Sequence, residues 1–167
     1  MLDAGFLVVW NDIAPEVEAE YQRWHRVEHM AERMALPGFT LGRRYRDRGG
    51  SRYRYLTVYE GRSVETFRSE AYRARLAAPT PWTTRMSARM GNFIRRVCRT
   101  VASEGAAIGG ADPFNAVLIV EGDSRAVLTD RLPELRRLLA KFVVDDKAIA
   151  AQVYDLALLF QASGGRN

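Results

Sequence analysis

The feature that most constrains the fold is a helical segment that stops at a proline–glycine pair and passes at once into a strand. Residues 17–35 repeat apolar side chains with helical spacing, so one face of the helix is apolar. Pro37-Gly38 is a pair that ends helices and opens turns. Residues 39–46 then alternate as a strand does. A helix joined to a strand by so short a turn is expected to pack against the sheet to which that strand belongs.

The order of the other segments predicts an α+β fold. The predicted strands and helices follow the order β-α-β-β-α-β, which is the ferredoxin-like pattern. Both helices, over residues 16–35 and 64–78, are expected on one face of a four-stranded antiparallel sheet within residues 5–102. The strands are predicted over residues 5–11, 39–46, 52–60 and 93–102, with a hairpin turn at 48–51 and a stiff connector at 79–83.

A segment of small residues divides the chain into two predicted domains. Residues 103–112 are interpreted as a linker between a ferredoxin-like α/β-barrel unit over 1–105 and a shorter, incomplete β-α-β unit over 112–167. The second unit is predicted from a strand at 115–121, a helix at 125–141 interrupted near Pro133, and a strand or strand plus tail at 148–160. A small sheet with two apolar faces cannot leave one bare to water. We therefore expect either a homodimer or an internal pseudo-dimer in which the second unit covers that face.

Cysteine usage and the N-terminus indicate a cytoplasmic protein. Cys98 is the only cysteine among 167 residues, so no intrachain disulfide is possible and a reducing compartment fits. The N-terminus has no basic region, and its apolar run at 6–10 is too short for a signal peptide or a membrane span. We expect a cytoplasmic location and no membrane partner.

The positive charge of the chain does not favour a nucleic-acid partner. The formal net charge is +5, and the densest basic run alternates with tyrosine along two predicted strands: Arg43, Arg44, Arg46, Arg48, Arg52 and Arg54 with Tyr45, Tyr53 and Tyr55. Arginine interleaved with aromatic residues is typical of platforms for single-stranded nucleic acid. Alternate residues of a strand point to opposite faces, however, which splits this patch in two.

The first helix carries both histidines of the chain together with a carboxylate. His25 and His29 lie one turn apart, and a regular helix places Glu28 in the middle of the apolar face with both histidines on its shoulder. Burial raises the pKa of a carboxyl group unless a cation or a hydrogen-bond donor meets it, which makes such a group a candidate for acid/base work. We expect Glu28 to be largely buried against an arginine or a tyrosine hydroxyl of strand 39–46 or 53–59. His25 is expected at the mouth of the same cavity.

Other interpretations of these residues stay open. Glu28 could form a purely structural ion pair with a strand arginine, and the histidines could be ordinary solvent-facing residues. Residues 25–29 also spell H-x-x-E-H, a zinc-binding pattern. Because the sequence offers no clear third ligand in a second helix, no metal and no cofactor are predicted.

Four short stretches of the first unit carry a resemblance to a known family. They are WHRVEHMAERMALPGF, GRRY, YLTVYE and APTPWT, all within residues 5–102. Together they resemble the dimeric α/β-barrel superfamily, and within it the EthD-like and related uncharacterised bacterial branches. The resemblance implies a pocket between sheet and helices, two sheets that meet across a dimer or pseudo-dimer, and His/Tyr/Arg chemistry on a small, often aromatic or enolisable molecule. The family's first-helix histidine matches His25 or His29, and its strand cation matches Arg43 or Arg44.

The function expected from these residues and this resemblance is that of a small-molecule enzyme with histidine-centred acid/base chemistry. The reaction would be of the isomerase, cyclase, lyase or cofactor-free oxygenase type, with Arg43 or Arg44 stabilising the developing oxyanion. The predicted catalytic residues are His25, Glu28, His29 and Arg43, and the predicted substrate-binding residues are Trp10, Trp24, Arg44, Tyr45, Tyr55, Tyr59 and Trp82. The alternative is a non-catalytic ligand-binding or dimerising accessory protein of the same fold.

Overall fold

The computed structural model describes residues 4–49, 52–100, 108–112, 115–120, 124–139 and 154–161, and it shows an α+β protein. The strands are β1 (Gly5–Ile13), β2 (Phe39–Arg46), β3 (Tyr55–Gly61), β4 (Met90–Arg99), β5 (Ile108–Asp112), β6 (Asn115–Ile119) and β7 (Asp155–Gln161). The α-helices are α1 (Glu18–Trp24), α2 (Met30–Met34), α3 (Glu70–Ala77), α4 (Pro81–Ser87) and α5 (Arg125–Leu139). Short 3-10 helices cover Pro15–Val17 and Val64–Arg68, and a π-helical turn, His25–His29, joins α1 to α2.

Within the described residues, five strands form the main sheet in the order β4-β1-β3-β2-β7. Every neighbouring pair in this sheet is antiparallel. β3 lies at the centre and is buried along almost its whole length. β5 and β6 form a separate antiparallel pair. The predicted α+β class with an antiparallel sheet is therefore confirmed.

The second half of the chain contributes a strand to the main sheet. β7 pairs with β2, in a register that places Phe160 opposite Gly42. Residues 108–112, predicted as part of a linker, instead form β5, while residues 103–107 lie outside the described residues. α5 continues through Pro133, where we predicted an interruption. A helix tolerates such a proline at the cost of one backbone hydrogen bond. The division into units 1–105 and 112–167 stays a prediction.

The cross-strand register fixes which residues face the first helix. Directly opposed residues of antiparallel strands point to the same side of a sheet. Arg44 lies opposite Thr57, and Gly42 lies opposite Tyr59, so these four residues share one face. A Cβ at Gly42 would come within 2.6 Å of Met30 Cε. The missing side chain therefore lets α2 approach the sheet closely.

The first helix is not regular, and this changes which of its residues are buried. A uniform 100° step places Val27, Ala31 and Ala35 on the sheet-facing side, but all three are exposed, Val27 by 58%. The π-helical turn holds more residues per turn than an α-helix, so the buried stripe shifts by one residue from there on. The sequence-based assignment of the buried side is therefore wrong beyond this turn. The buried stripe runs through Tyr21, Trp24, His25, Met30 and Arg33.

The segment between β3 and β4 also differs from its prediction. The predicted helix 64–78 is broken at Ser69, whose extended backbone separates the 3-10 helix from α3. Residues 79–83, predicted as a connector, contain the start of α4. The Thr80 hydroxyl accepts a hydrogen bond from the Thr83 N–H at 2.9 Å, and Pro81 takes the first helical position. α4 packs against α1, which is the N-terminal part of the first helix.

The centre of the sheet face opposite α1 and α2 is buried within the single chain. Its core residues, each exposed by 8% or less, are Phe6, Val8, Tyr45, Leu56, Val58 and Cys98. Tyr154 packs against this core and donates a hydrogen bond to the Tyr53 carbonyl at 2.8 Å. At the β7 edge of the same face, Leu156 and Leu159 are exposed by 55% and 57%. The homodimer stays a prediction.

Candidate functional site

A cluster of polar side chains lies between the first helix and the sheet. His25, His29 and Arg33 follow one another at intervals of four residues, which brings them to one side of the helix. Arg44 of β2 and Tyr59 of β3 come from the sheet face beneath them. The guanidinium charges of both arginines act on both imidazoles and on the Tyr59 hydroxyl. We call these five residues the histidine–arginine cluster.

The cluster is buried, yet many of its polar atoms are unpaired. Four of its residues are exposed by 5% or less, and His29 is half-buried. Within the cluster, the buried atoms to which the described residues give no hydrogen-bond partner are His25 Nδ1, His29 Nδ1, Arg33 Nη1, Arg44 Nε, Arg44 Nη2 and Tyr59 OH. Buried polar groups are nearly always hydrogen-bonded, and leaving one unpaired costs about 1–3 kcal/mol. Groups outside the described residues, such as water or a bound molecule, would satisfy these atoms.

Arg44 is held rigidly although no carboxylate of the described residues contacts it. Its guanidinium carbon lies 4.4 Å from the Tyr55 ring centre and 4.8 Å from the Tyr21 ring centre. Its Nη1 donates to Gln22 Oε1 at 2.5 Å, and Gln22 Nε2 in turn donates to the Tyr55 hydroxyl at 2.7 Å. The Tyr21 hydroxyl is fixed by Asn11 Oδ1 at 2.9 Å. Two aromatic contacts and one amide therefore orient the guanidinium plane, while its Nε and Nη2 have no hydrogen-bond partner among the described residues.

Both histidines are neutral at physiological pH. Burial, and then the charge of Arg44, holds the pKa of His25 well below its usual value. Burial, and then the charge of Arg33, lowers the pKa of His29 to about 3. The two ring centres lie 5.2 Å apart, and His25 Nε2 contacts the Thr57 hydroxyl at 3.4 Å. Each imidazole therefore offers an unpaired Nδ1 as either donor or acceptor, depending on its tautomer.

Tyr59 completes the cluster as a neutral hydroxyl. Burial is the largest influence and raises the pKa of Tyr59 above its usual value. The hydroxyl therefore stays protonated at physiological pH and can donate a hydrogen bond to a bound group. The cluster thus combines two cations with neutral imidazole and phenol groups.

Glu28 faces α4, and the prediction that it is largely buried against an arginine or a tyrosine hydroxyl of strand 39–46 or 53–59 is wrong. The residue is only partly buried, and its Oε1 accepts hydrogen bonds from Thr80 at 2.6 Å, from Thr83 at 3.2 Å and from the Trp24 indole at 3.1 Å. None of these partners belongs to strand 39–46 or 53–59. The π-helical turn brings His29 rather than Glu28 towards the sheet, so the carboxylate faces α4. Glu28 therefore ties the first helix to α4.

The other predicted residues divide between the two faces of the sheet. Trp24 and Tyr55 adjoin the cluster: the Trp24 ring lies 4.4 Å from that of His29, and Tyr55 contacts Arg44. Three predicted residues lie on the opposite face, namely Trp10, Arg43 and Tyr45. Arg43 forms an ion pair there with Glu60. Of the two candidate strand cations, Arg44 alone therefore belongs to the cluster.

Sequence reasoning missed several residues of the site. A uniform helix places Arg33 off the apolar face, whereas it is only 5% exposed in the structure. The four-residue spacing from His25 through His29 to Arg33 was a usable signal for it. Tyr21 and Gln22 carried no comparable signal, since their role depends on the position of Arg44 in the fold.

An open groove of about 590 Å³ lies on the outer side of the helices, away from the cluster. Its lining residues are Ala19, Glu20, Arg23, Trp82 and Arg85. The one carboxylate in this lining is already engaged, because Glu20 accepts hydrogen bonds from Trp82 Nε1 at 3.0 Å and from Arg85 at 2.8 Å. Trp82 thus has a structural partner on the surface and lies outside the predicted substrate site.

The described residues contain neither a cluster of metal ligands nor a membrane-spanning helix. No group of three or more histidine, cysteine, aspartate or glutamate side chains is placed there to hold a metal ion. The zinc interpretation of residues 25–29 therefore lacks a third ligand among them. No helix in the described ranges is long and apolar enough to cross a membrane.

Comparison with known proteins identifies no relative. The chain matches no family model, no curated protein and no solved structure.

Proposed function

We propose that the histidine–arginine cluster is the active site of a small-molecule enzyme that works by histidine-centred acid/base chemistry. The main support for this proposal is that a neutral, buried His25 lies in the same cluster as Arg44. The buried Nε and Nη2 of Arg44 have no hydrogen-bond partner in the described residues. A proton acceptor and a fixed cation are the two groups that proton abstraction next to a carbonyl requires. The substrate class is a small aromatic or enolisable molecule.

The roles of the residues follow from their protonation states. His25 Nδ1 takes a proton from the carbon next to a carbonyl, and the electron pair of that C–H bond moves to the carbonyl oxygen. Arg44 and the Tyr59 hydroxyl stabilise the resulting enolate oxygen, and the proton returns to another position of the same molecule. The low pKa makes His25 a weak base in the free protein. A negative charge on the bound substrate raises that pKa and so strengthens the base.

The fold supports the same proposal. The order β4-β1-β3-β2, with helical connections after β1 and β3, agrees with the ferredoxin-like unit that the sequence predicts. We propose that this unit is of the dimeric α/β-barrel type, in a cytoplasmic protein. The homodimer belongs to this proposal, and its measurement is the mass of the protein in solution.

A non-catalytic binding protein is the second candidate, and one observation favours it. Glu28, the only carboxylate among the predicted catalytic residues, is engaged with Thr80 and Thr83 of α4 and its neighbouring turn. No carboxylate of the described residues therefore orients either imidazole, as the third group of many catalytic triads does. A protein that only binds its ligand has no need of such a group.

Incubation with a metabolite extract, followed by mass spectrometry, separates the two candidates. The wild type, His25→Gln and Arg43→Gln are compared, since Arg43 lies on the opposite face and serves as the control. Consumption of a compound by the wild type and by Arg43→Gln, but not by His25→Gln, supports the enzyme. A compound that is retained unchanged supports the binding protein. Consumption that survives His25→Gln contradicts the proposed mechanism.

A further inference from the structure

We infer that the molecule bound in the histidine–arginine cluster carries a carboxylate, and that the Nε–Nη2 edge of Arg44 grips it through two parallel hydrogen bonds. This inference rests on the proposed function, because it names the substrate class of the same site. It goes beyond that function, since an enolisable or aromatic molecule need carry no charge.

The unpaired atoms of Arg44 have the pattern that a carboxylate requires. Nη1 is taken by Gln22, whereas Nε and Nη2 are buried and have no partner in the described part of the chain. Nε and Nη2 form one edge of the guanidinium, and their two N–H bonds point in the same direction. That edge matches the two oxygens of a carboxylate in the planar, bidentate arrangement.

The orientation of this Nε–Nη2 edge is also fixed before a ligand binds. The contacts with Tyr21 and Tyr55, at 4.8 and 4.4 Å, hold the guanidinium plane, and the side chain as a whole is exposed by only 2%. A group whose geometry is fixed before binding loses little conformational freedom when the ligand arrives. An arginine that only neutralises charge at a surface does not need its guanidinium plane held in this way.

A second buried cation strengthens the case for an anion. Arg33 is exposed by 5%, its Nη1 has no partner in the described residues, and its guanidinium carbon lies 5.7 Å from the Tyr72 ring centre. Two buried guanidinium groups therefore share one site without a carboxylate from the described chain. An uncompensated buried charge is among the most costly features of a folded protein. A bound anion supplies the missing compensation.

The acidic residues of the same helix are engaged elsewhere. Glu18 pairs with Arg46 at 2.6 Å and with Arg54 at 3.3 Å, and Glu32 pairs with Arg75 of α3. Glu28 is bound by the threonines near α4. Among the described residues, these neighbouring charges are thus paired, while no carboxylate contacts Arg33 or Arg44. The neutral imidazoles and the Tyr59 hydroxyl complete a site to which the described residues contribute donors and cations.

Imidazole NMR provides a direct test, because the chain has only two histidines and both belong to the cluster. The full-length protein is titrated with benzoate, with its neutral isostere benzamide, and with inorganic phosphate. We expect benzoate to shift the signals of both histidines and to raise their pKa values, while benzamide leaves them unchanged. Arg44→Gln should weaken benzoate binding by about 10- to 100-fold, whereas Arg43→Gln should leave it unchanged.

Two further variants keep the test decisive if Arg44→Gln fails to fold. Arg44→Lys retains the charge but lacks the planar edge, so it should bind benzoate more weakly than the wild type. Arg33→Gln should lose part of the affinity with the Arg44 edge intact. Circular dichroism confirms that each variant is folded.

Several results would overturn the inference. They are equal binding of benzamide and benzoate, binding of phosphate but not of benzoate, wild-type affinity in Arg44→Lys, and no response to benzoate at millimolar concentrations. Failure of the inference is distinguishable from failure of the proposed function. Carboxylate binding without turnover of any compound supports the inference and contradicts the proposed enzyme. Turnover of a neutral compound without carboxylate binding supports the enzyme and contradicts the inference.

Discussion

Replacing Arg44 by methionine removes a buried charge while keeping a long side chain in the same space. If the guanidinium has no anionic partner in the free protein, its burial lowers stability, and the substitution should raise the free energy of unfolding. The same substitution should abolish binding of an anionic ligand. A residue that makes the free protein less stable but is required for binding is expected where a site is built for a partner.

The magnitude follows from the contacts of Arg44. Methionine loses the hydrogen bond to Gln22, worth about 1–2 kcal/mol, and the contacts with Tyr21 and Tyr55, worth about 1 kcal/mol each. Against this, the substitution removes two unpaired buried donors and the several kcal/mol that desolvation of an uncompensated charge costs. We expect the free energy of unfolding to rise by about 1–3 kcal/mol. For a chain of this length, each kcal/mol should raise the Tm by about 2–4 °C.

Denaturant unfolding followed by tryptophan fluorescence, in a buffer without carboxylates or phosphate, measures this change. Arg43→Met is the matched control one residue away, and it should lose stability because it removes the ion pair with Glu60. Benzoate should raise the Tm of the wild type but not that of Arg44→Met. A loss of more than about 1 kcal/mol in Arg44→Met, with the fold retained, would refute the claim that this charge is uncompensated.

Three further predictions concern other parts of the first unit. The pKa values of His25 and His29 lie below the ordinary 6.5, so the unfolded chain takes up protons first as the pH falls. Stability, measured by denaturant unfolding across pH, should therefore be full above pH 6.5 and fall towards pH 3 by up to about 1.4 kcal/mol per pH unit for His29, with a loss in the same direction from His25. Glu28→Ala should cost about 1–3 kcal/mol of stability by leaving its α4 partners unpaired, yet leave benzoate binding unchanged in calorimetry. Gly5→Ala should lower the Tm more than Gly42→Ala, because its Cβ would meet the Ser63–Val64 backbone at 2.5 Å rather than the flexible end of a methionine.

The strands of the first unit could be predicted from the sequence because their side chains alternate. β2 has the predicted bounds, and β1, β3 and β4 differ by a few residues at their ends. Local signals for α4 were also present, since Thr80 before Pro81 is a typical helix start, but the surrounding prolines favoured a connector. Alternation also split the basic run correctly, and Arg43 and Arg44 do lie on opposite faces.

The composition of the site could not be predicted to the same extent. The choice between Glu28 and His29 as the inward-facing residue depends on a single π-helical turn, which no residue pattern of the helix signals. The choice between Arg43 and Arg44 depends on which face of the sheet the helix covers, a tertiary property of the fold. Patterns therefore identified the helix and the strand of the site, and packing decided which of their residues meet.

We propose that the buried histidine–arginine cluster, with its two neutral imidazoles, binds an anionic partner. The most direct measurement is the ¹⁵N chemical shift of the imidazole nitrogens in the free protein at about pH 5, between the ordinary pKa of 6.5 and the value of about 3 for His29. We predict that His29 is neutral at this pH, and that a titration of His25 gives a pKa well below 6.5. This prediction would be contradicted if both were protonated, with pKa values near 6.5, because the imidazoles would then be solvated and the arginines beside them would not be buried as described.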